Sequence, residues 1–358
     1  MKKYLVGGAI RDELLGLPIE EKDWVVVGSD HIEMINLGFK QVGKNFPVYL
    51  HPKSKEEYAL ARKESKIGKG HKEFKFYANK KISLEEDLKR RDLTINAIAR
   101  DDAGTIYDPY GGLKDLKRKR IQIISKAFFE DPLRLFRVAR FKAKLSHLKF
   151  GLTEDTLSAL KKIVNSNEIE YLSGERIWEE TQKSLKHRNS SIYFTTLNKA
   201  KALDLFQGLS SSYKKNLRHL KKFDKYEGRA IEKWAILNLN SNNISETETR
   251  IRVPNNFIKY RVNLTISGEL ISKKNRPEQI LNSFEKINLF RDKNQFFQNL
   301  ATLKEIGFLN KKSLKDWTEL VKKLCKIKVK VSGLKPKEIG KKLKEDRLKQ
   351  IIEYKDVI

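Results

Sequence analysis

The 358-residue chain has a single cysteine, Cys325, which excludes a disulfide framework and any cysteine-based zinc site. Its six histidines are scattered, and neither a His-Asp pair nor HExxH occurs, so a histidine-rich metal centre is not expected. Long apolar stretches are missing as well. Nothing approaches the ~18 apolar residues of a spanning helix, and no membrane partner is expected. The opening Met1-Lys2-Lys3-Tyr4-Leu5-Val6-Gly7-Gly8 is too short in its apolar part, and too soon broken by glycine, for a signal peptide. A reducing, cytoplasmic setting is the expectation. Acids are outnumbered, with 46 Asp+Glu against 75 Lys+Arg and a formal net charge of +29. A surplus of that size creates a long-range field that favours a polyanion, nucleic acid first. Part of the lysine excess accompanies a general richness in Lys, Ile and Asn and need be nothing more than solvated surface.

Length alone predicts two or three domains, at about 150 residues each. The first third reads as α/β. Tyr4–Val6, Trp24–Val27, Pro47–Leu50 and Tyr58–Ala61 are short apolar runs bounded by Gly, Pro, Asp and Lys, the pattern of strands. Between the first two, Arg11–Gly16 fits a short helix ended by glycine. Ser65–Lys72, with two glycines among lysines and no apolar periodicity, reads as a mobile, positive loop. A helix is expected from Leu84 to about Ile98, then a turn at Asp108-Pro109-Tyr110-Gly111-Gly112. From about Ser125 strand signals fade, and Leu133, Phe136, Val138, Phe141 and Leu145, then Leu157, Leu160 and Val164, recur at helical spacing. Beyond about residue 209 only basic amphipathic helices with Asn/Ser/Lys joints are read.

Three clusters of residues stand out. In the first, Gly7-Gly8-Ala9-Ile10-Arg11-Asp12 follows a strand and precedes a helix, and Glu21-Lys22-Asp23 opens the next strand. Two glycines there let backbone N–H groups approach an anion, and Arg11 adds a charged fork. Glu21 and Asp23, two apart on an extended segment, share a face, the arrangement that holds hard divalent ions. A plain turn with solvated acids fits the same residues about as well. The second is Lys89–Ala97, where Arg91, Asp92 and Asn96 would share a helical face; a solvated helix start is the alternative. The third is Glu130–Phe141. Pro132 suits a first helical position and Asp131 an N-cap. Yet Arg134, Arg137 and Arg140 recur every three residues, and such a stripe repels itself unless an anion such as a triphosphate lies against it.

These motifs, in order with DPYGGLKDL at 108–116 and GERIWEE at 174–180, carry a resemblance that is dense to about residue 190 and loose beyond 210. The chain resembles the bacterial CCA-adding tRNA nucleotidyltransferases, class II, shared with bacterial poly(A) polymerases, in a shortened form without an HD phosphohydrolase domain. The resemblance implies an α/β nucleotidyltransferase head with a small mixed sheet, followed by an all-helical neck, body and tail in a seahorse-like arrangement. The boundaries expected are 1–124, 125–208, which carries the nucleotide-base template, and 209–358, basic and tRNA-binding. It implies addition of CCA to tRNA from CTP and ATP with release of pyrophosphate. By position, Gly8, Arg11, Arg91, Arg137 and Arg140 match nucleotide contacts, Glu21 and Asp23 the catalytic Mg²⁺ carboxylates, and Asp131 with Arg134 the template for the incoming base. Cytosine and adenine both set an amine donor beside a ring-nitrogen acceptor. Asp131 would accept from the first and Arg134 donate to the second; uracil and guanine reverse the order. The basic tail would hold the acceptor and TΨC arms by shape and phosphate.

Two departures accompany the match. The family has Asp-x-Asp where this chain has Glu21-Lys22-Asp23, moving one carboxylate outward by a methylene. No His-Asp dyad occurs, and His187 and His219 lack ligand company, so phosphohydrolase activity is not expected. Glu57 is a candidate third carboxylate, with a solvated strand-end acid as its alternative. Poly(A) polymerase and partial CC- or A-adding enzymes share these motifs; motif placement from residue 4 favours CCA addition. A tRNA-binding protein with an impaired head is the reading from another class.

Overall fold

The computed structural model describes residues 1–42, 48–66, 74–209, 212–329 and 335–354. They divide into two compact units, residues 1–184 with 192–203, and residues 185–191 with 204–358.

The first unit is built on a seven-stranded mixed sheet. Its strands are β1 (Lys2–Val6), β2 (Asp23–Val27), β3 (Lys40–Val42), β4 (Val48–Leu50), β5 (Glu57–Leu60), β8 (Ala99–Asp101) and β9 (Ile106–Tyr107). They lie in the order β3-β4-β5-β2-β1-β8-β9, and only β2 and β5 run parallel. Two further strands, β6 (Arg62–Lys66) and β7 (Phe74–Ala78), form a separate antiparallel pair. The valine run of β2 explains the sheet's double cover. Side chains alternate across a strand, so Val25 joins Tyr4, Val6, Leu88 and Ala97 on one face, while Val26 joins Met34, Phe39, Tyr49 and Leu60 on the other.

Helices α1 (Gly8–Leu14), α2 (His31–Asn36), α3 (Leu84–Lys89) and α4 (Gly112–Lys117) punctuate the sheet. A minor parallel pair joins β10 (Arg120–Ile121) to β11 (Gly151–Leu152). Then come α5 (Arg134–Lys144), α6 (Glu154–Asn165), α7 (Gly174–Lys186) and α8 (Ser191–Lys199). On α5 and just after it, Phe136, Val138, Phe141 and Leu145 are buried, as their spacing predicts. The second unit is helical in its described residues: α9 (Tyr213–Phe223), α10 (Ala230–Leu237), α11 (Ile244–Arg250), α12 (Asn255–Ser272), α13 (Pro277–Lys286), α14 (Lys293–Glu305), α15 (Lys311–Leu324) and α16 (Pro336–Tyr354). Its centre is the α10–α12 pair, where buried Trp234 donates to Glu248 at 3.1 Å and Arg261 closes a fork on the same carboxylate.

Several expectations are corrected. The first helix begins at Gly8, three residues earlier than read. The helix from Leu84 stops at Lys89, a 3-10 turn (Thr94–Asn96) occupies part of the stretch expected to be helical up to Ile98, and β8 follows from Ala99. A capping box between Ser83 and Glu86 fixes its start. Strand pairing reappears after residue 125 as β11. Of the glycine-lysine segment, Ser65 and Lys66 close β6, and residues 67–72 lie outside the described residues.

Candidate active site

The carboxylates are set by strand register. Asp23, the first residue of β2, pairs with Val6 on one side and with Glu57 of β5 on the other. Paired residues point to the same face, so Asp23 and Glu57 leave the sheet together beside the turn that follows Val6. Asp23 is solvent-accessible, but protein crowded around its base withholds hydration and raises the carboxyl above its ordinary value; Arg91 opposes that rise and Glu21 adds to it. Among the described residues no three His, Cys, Asp or Glu side chains gather round one point. The candidate donors are Glu21 and Asp23, with Glu57 paired to Asp23 across the strands. A carboxylate pair of this kind fits Mg²⁺, which keeps several waters and takes its remaining ligands from substrate phosphates.

Immediately after β1, Gly7 has φ +74° and a Cβ there would stand 2.9 Å from Arg91 Nη1. The positive φ favours glycine at this position, whereas an added Cβ would require only the flexible end of the Arg91 side chain to shift. Gly8, at the first turn of α1, is under no such constraint: its added Cβ would meet Arg11 at an ordinary 3.5 Å.

Arg11 lies inside the protein rather than at the mouth. Its Nε and Nη2 both donate to Asp12 at 2.9 Å, and its Nη1 donates to Asn96 Oδ1 at 2.5 Å. Lys144 of α5 donates to the same Asp12 at 2.9 Å. Burial lowers the Arg11 pKa despite Asp12. From Asn96 the chain of bonds continues, its amide donating to Asp92 at 2.9 Å, and Arg137 Nε donating to the other Asp92 oxygen at 2.8 Å. Burial would raise the Asp92 carboxyl, but Arg137, the Asn96 bond and Arg134 hold it far below the usual range. Arg137 is correspondingly raised by Asp92. Asp92 and Asn96 therefore meet as the sequence spacing implied, though through a tight turn and not along a helix.

The arginines of α5 do not wait for an outside anion to quench their repulsion. Arg140 Nε donates to Glu180 of α7 at 2.5 Å, and Arg137 reaches the same carboxylate at 3.8 Å. Three guanidiniums surround the Phe141 ring, Arg140 at 4.4 Å, Arg11 at 4.8 Å and Arg137 at 5.7 Å from its centre, so the ring face helps to neutralise them. Arg134 is buried and donates to the carbonyls of Ala127 at 2.8 Å and Arg90 at 2.5 Å. Asp131 has two local duties. Its side chain accepts from the Leu133 N–H at 3.1 Å and its carbonyl from the Arg134 N–H at 3.0 Å. Both oxygens also accept from Arg176 of α7, at 2.9 and 3.4 Å. The helix itself starts at Arg134, so Asp131 is a turn former just ahead of it.

Glu180 and Arg176 were given no role by the sequence reading, although both lie in the quoted GERIWEE segment. Their spacing was the available signal: four apart on a helix, they share a face. In the second unit, His219 packs against Phe308 and its Nδ1 lies 3.4 Å from the Ile306 carbonyl, and burial lowers its pKa. No helix among the described residues is long and apolar enough to cross a membrane.

Residues 3–122 match the poly A polymerase head domain, and residues 149–211 match the probable RNA and SrmB-binding site of polymerase A. Among solved structures, an apo CCA-adding enzyme is 21% identical, covers 98% of this chain and 90% of its own, and superposes with a TM-score of 0.70. The Bacillus stearothermophilus CCA-adding enzyme in complex with CTP is 25% identical, covering 90% of this chain and 77% of its own at a TM-score of 0.65. A Thermotoga maritima CCA-adding enzyme complexed with tRNA is 20% identical, covering 99% and 90% at a TM-score of 0.65. Residues 3–122 are therefore matched as a poly A polymerase head domain, in a chain that has the fold of the CCA-adding enzymes.

Proposed function

We propose that this chain adds CCA to the 3′ end of tRNA, using CTP twice and then ATP. The observation that carries this reading is the bond from Arg134 to the Arg90 carbonyl. It ties the candidate base-reading residues, Asp131 and Arg134, to the residue next to Arg91, whose guanidinium abuts the Gly7 turn and bears on Asp23. Base and phosphate ends of one nucleotide can thus be served by adjoining residues. The CTP-bound and tRNA-bound neighbours support the same reading.

In this mechanism the tRNA terminal hydroxyl attacks the α-phosphate, a new P–O bond forms, and the bond to the β-phosphate oxygen breaks to release pyrophosphate. Glu21 and Asp23 would hold Mg²⁺, which lowers the pKa of the attacking hydroxyl and steadies the leaving oxygen. Gly8 supplies backbone N–H to the phosphates, and Arg91 offsets their charge. Arg11, Arg137 and Arg140 contribute positive potential from a network already bonded within the protein. The match to an RNA-binding segment at residues 149–211, and the basic helices beyond it, support tRNA as the polymer substrate. The division into head 1–124, neck 125–208 and tail 209–358 is part of this proposal.

Purified protein is incubated with tRNA lacking its last three nucleotides, with CTP and ATP singly and together. Growth by three nucleotides only when both are present is expected. A long A tail assigns poly(A) synthesis, growth that stops after C additions or needs only A assigns a partial enzyme, and binding without growth assigns a tRNA-binding protein.

A further inference from the structure

Asp87 lies on α3, outside the residues proposed to meet the nucleotide, yet its carboxylate is fully buried and three arginines converge on it, Arg62 through its backbone N–H. Its Oδ1 accepts from the backbone N–H of Arg62 at 3.2 Å, from Arg90 Nε at 3.0 Å and from Arg90 Nη2 at 2.7 Å. Its Oδ2 accepts from Arg91 Nη2 at 3.3 Å. Burial works against its ionisation, but the charges of Arg90, Arg91 and Arg62 keep the carboxyl below its usual value. Asp87 is therefore an anion in the folded protein.

Its partners lead in two directions. Arg91, held on Oδ2, extends Nη1 over the Gly7 turn, 2.9 Å from where a Cβ on Gly7 would stand. Arg90, clamped on Oδ1, presents the backbone carbonyl that accepts Arg134 Nη2 at 2.5 Å. One carboxylate thus fixes a phosphate-side guanidinium directly and a base-side guanidinium through a single peptide group. A neutral side chain at this position would leave Arg91 and Arg90 without their shared counter-charge in a site where long cationic side chains otherwise sample several rotamers.

We propose that Asp87 is a positioning residue that sets Arg91 and Arg134 in one geometry, so that nucleotide affinity and base choice depend on it together. This rests on the proposed reading that Arg91 and Arg134 meet the nucleotide. A purely structural acid, pinning α3 to the start of β6, would affect folding without touching either property.

The test compares Asp87→Asn and Asp87→Glu with Arg91→Ala, Arg134→Ala and the double variant Asp87→Asn/Arg91→Ala in the full chain. Equilibrium affinity for CTP, KM against kcat, and the CTP-over-UTP incorporation ratio on tRNA lacking CCA are measured below each variant's melting midpoint. Asp87→Asn is expected to weaken CTP binding about tenfold, the loss of roughly one charged hydrogen bond, and to lower the incorporation ratio. Asp87→Glu, which keeps the charge, should recover part of both. The double variant should bind CTP little worse than Arg91→Ala alone, because both changes remove the Arg91–Asp87 interaction, while its incorporation ratio should still fall through Arg90 and Arg134. Glu248→Gln, which alters a buried acid of the second unit with an arginine partner of its own, controls for loss of stability and should move neither ratio nor affinity. If Arg91→Ala and Arg134→Ala change affinity and ratio but Asp87→Asn changes neither, the positioning role is overturned while the functional reading stands. If none of the three has an effect, the functional reading and the role of Asp87 fall together.

Discussion

Replacing Asp92 with asparagine probes the network that joins the head to α5. In the native protein the Asp92 carboxylate accepts from Arg137 Nε at 2.8 Å, from the Asn96 amide at 2.9 Å and from the Leu93 N–H at 2.9 Å. Asparagine keeps the shape and one acceptor but removes the charge. Deleting one partner of a wholly buried ion pair costs ~3–5 kcal/mol. Two features reduce that figure. The Arg137 side chain is 36% exposed and so retains water, and Glu180 remains 3.8 Å from it as a second counter-charge. About 2 kcal/mol is therefore expected, near the value of one hydrogen bond to a charged group. For a unit of this size that corresponds to a fall in Tm of about 4–8 °C.

The pH dependence is a sharper check. Asp92 is held below its unfolded value, so its contribution is complete above about pH 4 and is lost as the pH falls through the unfolded and then the folded pKa. The difference in Tm between native protein and Asp92→Asn should be full at neutral pH and narrow once the pH drops below about 4. Asp87 is depressed in both proteins and cancels in the comparison. Circular dichroism melts across that range measure it. Equal Tm values at neutral pH, or a gap that stays constant into acid, would refute the claim that Asp92 is a buried, ionised partner of Arg137.

Asp23→Ala should reduce nucleotide addition by more than ~10²-fold while filter binding of tRNA stays unchanged, since under the proposed function Asp23 would serve the metal and not the RNA. Glu21→Asp should leave addition equal or faster, because the shorter acid restores the family spacing; a large drop in rate would show that the site is built around glutamate. Arg134→Ala should lower the CTP-over-UTP incorporation ratio about tenfold or more in competition assays, with tRNA affinity unaltered. Neutralising Lys214, Lys215 and Lys221 together should weaken tRNA binding and make the slope of log K against log salt shallower by up to about 2–3. Lys222 is left intact in that variant because its ammonium donates to the Ile306 carbonyl at the end of α14. An unchanged slope would remove this cluster from the RNA contact.

The parts of the fold that were legible are those whose cause is local. The three valines of β2 name a strand covered on both faces, and the glycine pair after β1 names a turn. What misled was also local. Apolar residues continue beyond α3 at Leu93, Ile95 and Ile98, and each is buried, so periodicity alone extended the helix. The chain instead turns after Arg90, and Leu93 forms an isolated bridge with Ile123. That partner is thirty residues away, out of reach of a window reading. Strand β6 has no sequence signal, because Arg62-Lys63-Glu64-Ser65-Lys66 shows no apolar alternation, whereas its partner β7, Phe74-Lys75-Phe76-Tyr77-Ala78, does alternate. In the site, residue types were legible and partners were not. Asp12 with Lys144, Asp131 with Arg176, and Arg140 with Glu180 are separated by 132, 45 and 40 positions.

Those distant partners change how base selection has to work under the proposed function. Read from the sequence, Asp131 and Arg134 form an open fork, and a wrong base is rejected because it leaves them unpaired. In the folded chain both are already bonded, Asp131 to Arg176 and Arg134 to two backbone carbonyls. Binding of a base is then an exchange of hydrogen bonds rather than an addition of new ones. A matching base gives back what it displaces, so net affinity from this edge is small. A mismatched base must displace the same bonds and return donor against donor or acceptor against acceptor. The protein's own pairing, and not an empty fork, is the competitor that the wrong base fails to beat. This predicts that Arg176→Ala, which frees Asp131 from its charged partner, alters selectivity as well as stability. Its mismatch incorporation should rise relative to native protein even where CTP binding is retained, and an unchanged CTP-over-UTP ratio in that variant would show that the Asp131–Arg176 pairing takes no part in rejecting the wrong base.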